Sequence, residues 1–170
     1  LVNQILDITK IKSVTRSNEY RHGDIAGYIH TVVECTRELA KCKHISLLFS
    51  PSQTKIYMDF VPDYITKIIT NLVANAIKFT SDNGRIYITA DIEGDNLKLC
   101  VADNGCGMAR EEIPYIFDVF YQGRNGRIES GSGIGLSLTK QLIESMNGTI
   151  AIHSAENEGS VFIITLPIKQ

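Results

Sequence analysis

V-A-D-N-G-C-G-M, residues 101–108, decides how the chain is read. A strand expected over 97–102 ends on a single carboxylate, Asp103, and Gly105 and Gly107 let the backbone turn sharply after it. An ionised carboxylate accepts hydrogen bonds and donates none. Adenine carries an exocyclic amine where guanine carries a carbonyl, so a buried Asp103 selects adenine. The same letters also suit a plain turn at a strand exit. A calcium loop does not fit, because the later acidic ligands of an EF-hand spacing are missing.

Upstream, N-L-V-A-N-A-I-K-F-T (71–80) closes an expected helix over 62–79. Pro62 suits its first turn, and Ile65, Ile68, Ile69, Leu72 and Val73 supply a buried face. At about 100° per residue, Asn71, Asn75 and Lys78 share one stripe beside that face. A polar group there is costly without a partner. An amide oxygen suits Mg²⁺ already held by phosphates, and a lysine suits the phosphates themselves. Taken alone, the stripe also fits the solvated side of an amphipathic helix.

Downstream, G-S-G-I-G-L-S-L-T-K (131–140) places alternate glycines at the start of a helix expected over 134–146. Exposed N–H groups and the positive helix end suit an anion. Leu136 stands where a Rossmann fingerprint needs glycine, and the lysine of a P-loop is missing. Between the two glycine motifs, residues 104–132 are glycine-rich with scattered charge and one apolar patch over 113–120. Loops of that length inside a compact domain are usually functional lids or disordered.

The rest of the chain supplies the frame. A helix is expected over 25–43, with Asp24 as its N-cap, and short strands over 45–49 and 55–58 around a Pro51–Ser52 turn. A hairpin is expected over 85–92 and 97–102, and a closing strand pair over 149–154 and 160–166. Residues 14–24 read as a linker or edge segment. Leu1, Ile5 and Ile8 form a helical stripe that wants a partner. The chain opens on Leu1, and a piece of a longer protein is expected.

Composition narrows the class. The 170 residues are 44% apolar with a net charge of -2, enough to bury a core and without a broad footprint for nucleic acid. The longest uncharged apolar run, 161–168, is too short to cross a bilayer. Cys35, Cys42, Cys100 and Cys106 form no C-x-x-C pair, which argues for reduced thiols in a cytosolic compartment.

Order and spacing of the motifs make the chain resemble the GHKL ATPase superfamily (gyrase, Hsp90, histidine kinase, MutL), within it the histidine kinase branch. N-L-V-A-N-A-I-K-F-T is similar to the N box, V-A-D-N-G-C-G-M to the G1 box, I-F-D-V-F-Y-Q to the F box and G-S-G-I-G-L to the G2 box. The resemblance implies an α/β (α+β) two-layer sandwich of the Bergerat type: a five-stranded mixed sheet, three helices on one face and a flexible ATP lid over about 108–132. It implies a catalytic ATP-binding domain over 14–170, with 1–13 the end of the dimerisation and phosphoacceptor hairpin.

The resemblance also implies roles. Asn75 coordinates Mg²⁺, Lys78 lies near the phosphates and Asn71 belongs to the same cluster, Asn71 and Lys78 being the catalytic candidates. Asp103 binds the adenine amine; Gly105, Gly107 and Met108 open the lid; Phe117 and Phe120 anchor it, with Tyr121 beside the nucleotide. Gly131, Ser132, Gly133, Ile134, Gly135 and Leu136 face the triphosphate, and Ser160 places a hydroxyl near adenine. Gln122 stands where many members have arginine, so Arg124 or Arg127 takes the phosphate contact. None of His22, His30, His44 and His153 lies in an H-E-x-x-T-P-L context, so the phosphoacceptor is expected outside this chain. The reaction implied is phosphoryl transfer from Mg·ATP to a hairpin histidine and on to a response-regulator receiver domain. The domain is expected in the cytoplasm, its parent anchored in a membrane. The alternatives are an ATP-hydrolysing clamp, whose glutamate base is Asn71 here, and a nucleotide-binding regulatory domain without kinase activity.

Overall fold

The computed structural model describes residues 19–123 and 132–169. The expected hairpin end over 1–13, Arg124, Arg127 and Gly131 lie outside the described residues.

Alternation of apolar residues builds the main sheet. Strands β2 (Ser46–Pro51), β4 (Arg85–Glu93), β5 (Asn96–Asp103), β7 (Gly159–Pro167) and β6 (Thr149–Ala155) lie side by side in that order. β2 runs parallel to β4 and the other pairs are antiparallel, which makes the sheet mixed. Every second residue of the central strands is buried on one face: Ile86, Ile88 and Ala90; Leu97, Leu99 and Val101; Phe162, Ile164 and Leu166. Full burial of each large side chain contributes about 1.5–3 kcal/mol.

Three helices cover that face: α1 (Ile25–Lys41), α2 (Pro62–Phe79) and α3 (Gly135–Ser145). α2 packs between its two neighbours. Its buried stripe runs through Ile65, Ile68, Ile69, Leu72, Val73, Ala76 and Ile77, as the 3.6-residue period requires. The helix stops at Thr80, whose backbone is extended. Lys43 caps this end: its Nζ donates to the carbonyls of Ile77, Lys78 and Thr80 at 3.0, 3.1 and 3.2 Å. A cation at a helix C-terminus complements the dipole and satisfies orphan carbonyls.

The segments around Pro51 depart from expectation. Both strands form, but they do not pair with each other. β2 joins the main sheet, whereas β3 (Tyr57–Phe60) pairs antiparallel with β1 (Arg21–Asp24) in a separate two-stranded sheet. The turn expected at Pro51–Ser52 begins one residue later, since Pro51 ends β2, and Met58 and Phe60 of β3 are buried in the core beside α1. Of the polar segment before α1, Arg21–Asp24 forms β1. Asp24 precedes α1 without a side-chain cap, its carboxylate accepting instead from the Ile56 N–H at 3.0 Å.

Candidate functional site

A cavity of about 340 Å³ opens where α2, the end of β5 and the start of α3 converge. Three stretches far apart in sequence meet in its wall: Asn71, Asn75 and Lys78; Asp103, Gly107 and Met108; Ser132, Gly133, Gly135 and Leu136. Tyr121 and Ser160 complete it among the residues expected from sequence.

Asp103 ends β5, directly across from Ser160 of β7. Its carboxylate accepts the Gly105 N–H at 2.9 Å and the Ser160 backbone N–H. Burial pushes its pKa above the usual aspartate value, and the two N–H groups pull only partly back. A half-buried acceptor held by backbone at a cavity wall is placed to receive a donor from a ligand.

The loop after Asp103 lies against backbone on both sides. A Cβ at Gly105 would collide with the Phe79 carbonyl, and one at Gly107, where φ is 64°, would overlap the Ala155 carbonyl. The Cys106 N–H donates to the Phe79 carbonyl at 3.1 Å, and the Asn157 N–H to the Cys106 carbonyl at 2.7 Å. Gly105 thus shapes the site without lining the cavity. Its role is close approach, which no residue with a side chain could fill.

On α2, the Asn71 Nδ2 donates to the Gly135 carbonyl at 3.5 Å and to the Thr139 Oγ1 at 3.4 Å, a long link to the first turn of α3. The Lys78 ammonium stands 5.1 Å from the centre of the Phe79 ring. Asn75 is half-buried in the wall between them. The set fits Mg²⁺ and phosphate: an amide oxygen, an ammonium and the N-terminus of α3 face one cavity, and a Cβ at Gly135 would meet nothing nearer than the Asn71 Cγ at 4.0 Å.

Several expectations are corrected. Ile134 precedes α3 with no exposed surface, so its side chain does not face the cavity. Phe117 also lies outside the wall; it packs on the core with the Lys140 Nζ 5.6 Å from its ring centre. Phe120 is 62% exposed, and its ring anchors nothing in the core. Its backbone does the anchoring: at φ 66°, its N–H donates to the Gly133 carbonyl at 2.8 Å. That bond ties Phe120 to the residues just before α3.

Glu112 escaped the sequence reading. It lines the cavity, takes the Ala109 N–H at 3.2 Å and the Tyr121 hydroxyl at 3.5 Å, and so braces the stem of the loop. A single glutamate among the charges of 104–132 carries no period or spacing that would have marked it.

Comparison with known proteins agrees with this geometry. Residues 60–170 match the family described as histidine kinase-, DNA gyrase B-, and HSP90-like ATPase. Sensor protein EvgS of Escherichia coli (strain K12) is 31% identical over 175 residues, covering 99% of this chain and 14% of that protein. The chain therefore spans a small part of the length of such relatives. The nucleotide-free catalytic domain of the histidine kinase ThkA superposes with a TM-score of 0.80 at 26% identity, over 89% of this chain and 99% of that one. Full-length ShkA in complex with AMPPNP gives a TM-score of 0.86 at 26% identity, over 98% of this chain and 35% of that one. The chain belongs to the family of histidine kinase-, DNA gyrase B- and HSP90-like ATPases, and its fold is that of the histidine kinase catalytic domains within it.

Proposed function

We propose that the chain is the catalytic ATP-binding domain of a two-component sensor histidine kinase, moving the γ-phosphoryl of ATP to a histidine on a dimerisation hairpin. The observation that carries this is the convergence of Asp103, Asn75, Lys78 and the start of α3 on one cavity. Asp103 accepts from the adenine amine. Asn75 holds Mg²⁺ through its amide oxygen, the metal supplying charge neutralisation between phosphates. Lys78 and the N–H groups from Ser132 to Leu136 meet the phosphate oxygens, with Gly131 and Arg124 as further contacts. The relation of the solved ShkA structure to AMPPNP supports the same reading. Catalysis on these terms is positioning and electrostatics, since phosphoryl transfer asks little covalent chemistry of the protein.

Asn71 favours a kinase over a clamp. An amide cannot take a proton from attacking water, and Asn71 is engaged with Gly135 and Thr139. The chain therefore positions phosphate for a protein nucleophile rather than activating water. In the parent protein, residues 1–13 continue into the hairpin of a homodimer, and the phosphoryl group passes on to a receiver-domain aspartate. No helix among the described residues is long and apolar enough to cross a membrane. The kinase reading itself puts the domain on the cytoplasmic side of an anchored parent.

Incubation with γ-³²P-ATP and the separately expressed parental hairpin tests this. Acid-labile, base-stable label is expected on the hairpin and none on the 170-residue chain. Brisk phosphate release without hairpin labelling, abolished by Asn71→Ala while ATP still binds, would move the chain to the clamp ATPases.

A further inference from the structure

The β6–β7 hairpin presses its turn against the loop after Asp103, and one hydroxyl sits at the centre of that contact. The Ser154 Oγ accepts the Met108 N–H at 2.9 Å, donates to the Gly159 carbonyl at 3.0 Å and lies 2.8 Å from the Ser160 Oγ. A hydroxyl has one proton and two lone pairs. A carbonyl can only accept, so the Ser154 proton goes to Gly159. The Met108 amide takes one lone pair. In the remaining contact Ser154 must accept, and Ser160 must donate.

The count has a consequence for the cavity. Ser160 is 5% exposed and lines the wall, directly across the strands from Asp103. With its only proton committed to Ser154, it has lone pairs alone to offer a ligand. The neighbouring Asp103 carboxylate is also an acceptor. Two acceptors side by side match an exocyclic amine, which carries two protons, and oppose a ring carbonyl. From these bonds we infer that Ser154 is a specificity-determining positioning residue, which holds the Ser160 hydroxyl as an acceptor and thereby sharpens the choice of adenine over guanine. The inference rests on the proposed nucleotide function and adds a residue outside the cavity wall to it.

Removing the Ser154 hydroxyl frees the Ser160 proton to turn toward the cavity, where it can donate to a guanine carbonyl. In Ser154→Ala, ATP affinity measured by calorimetry is expected to fall about three- to tenfold, the loss of one neutral hydrogen bond. GTP affinity is expected to hold or rise, so the ATP:GTP ratio narrows by at least that factor. Ser154→Thr, which keeps the hydroxyl, is expected to retain the wild-type ratio. In a Ser160→Ala background, Ser154→Ala is expected to leave the ratio unchanged, because no proton remains to redirect. Melting curves run beside the titrations confirm that each variant is folded. Equal losses for ATP and GTP in Ser154→Ala, or the same narrowing with and without Ser160, would reduce Ser154 to a structural support and overturn the inference. A folded wild-type chain that binds ATP and GTP alike would overturn the adenine reading itself, and this inference with it.

Discussion

The cavity has two ends built on different terms. At the Asp103 end the carboxylate and its loop are held mainly by backbone: N–H groups of Gly105 and Ser160 hold the carboxylate, and the Phe79 and Ala155 carbonyls leave no room for a Cβ at Gly105 or Gly107. At the opposite end, Asn71, Asn75 and Lys78 reach in as side chains from one helix, and the bonds from the Asn71 amide to α3 are long, at 3.4 and 3.5 Å. Space around Gly135 is open. On the proposed function, base selection is thus folded into the sheet before ligand arrives, whereas phosphate binding relies on side chains reaching in from α2. A preformed end gives specificity at little ordering cost, and an adjustable end can follow a phosphoryl group in transfer.

The sharpest way to break this contrast is to add one methyl group at each end. Gly107→Ala forces a left-handed backbone and an overlap with the Ala155 carbonyl. It is expected to cost roughly 2–5 kcal/mol of stability, the sum of the left-handed penalty and overpacking, and to abolish ATP binding. Gly135→Ala, with space around it and helical geometry, is expected to stay within about 1 kcal/mol of wild type and on the stable side. Urea denaturation of both variants reads the difference. Equal costs would mean the two ends are equally rigid.

A second test isolates the adjustable end. Asn75→Ala is expected to remove most of the Mg²⁺-dependent gain in ATP affinity, on the order of tenfold or about 1.4 kcal/mol, while affinity in EDTA barely changes. A nucleotide titration with and without Mg²⁺ measures it. A Mg²⁺ gain that survives in Asn75→Ala would put the metal elsewhere.

The smallest effect concerns the cost of the preformed end. Burial raises the Asp103 pKa in the folded chain, so the fold binds that proton more tightly than the unfolded chain does. Its contribution to stability is full below the unfolded pKa and is lost as pH rises through the folded one. Without nucleotide, Asp103→Asn is therefore expected to melt slightly higher than wild type at neutral pH, and the two curves should converge on acidification. A variant that melts lower at neutral pH would show the carboxylate to be a net stabiliser.

Much of this site could be read from sequence because each motif is local. Asp103, Gly105 and Gly107 lie within five residues, and Asn71, Asn75 and Lys78 share one helical stripe. Glycines whose conformation only glycine tolerates leave a mark that needs no partner to be seen. What escaped depends on contacts across the chain. Ser154 meets Met108 from 46 residues away, and β2 chooses β4 over β3 because of where Met58 and Phe60 are buried. Phe120 misled for a related reason: an aromatic residue suggests a buried ring, but here the backbone turn is what the loop uses.

The claim that the Asp103 end selects the base is tested most directly by calorimetric titration of wild type and Asp103→Asn with Mg·ATP and Mg·GTP. The substitution keeps the side chain's size and replaces one acceptor oxygen with a donor amide, removing a charge-assisted bond worth roughly 1.5–3 kcal/mol. Wild type is expected to prefer ATP, and Asp103→Asn to lose about one to two decades of ATP affinity with little change for GTP. An Asp103→Asn variant that binds ATP as tightly as wild type would contradict the account.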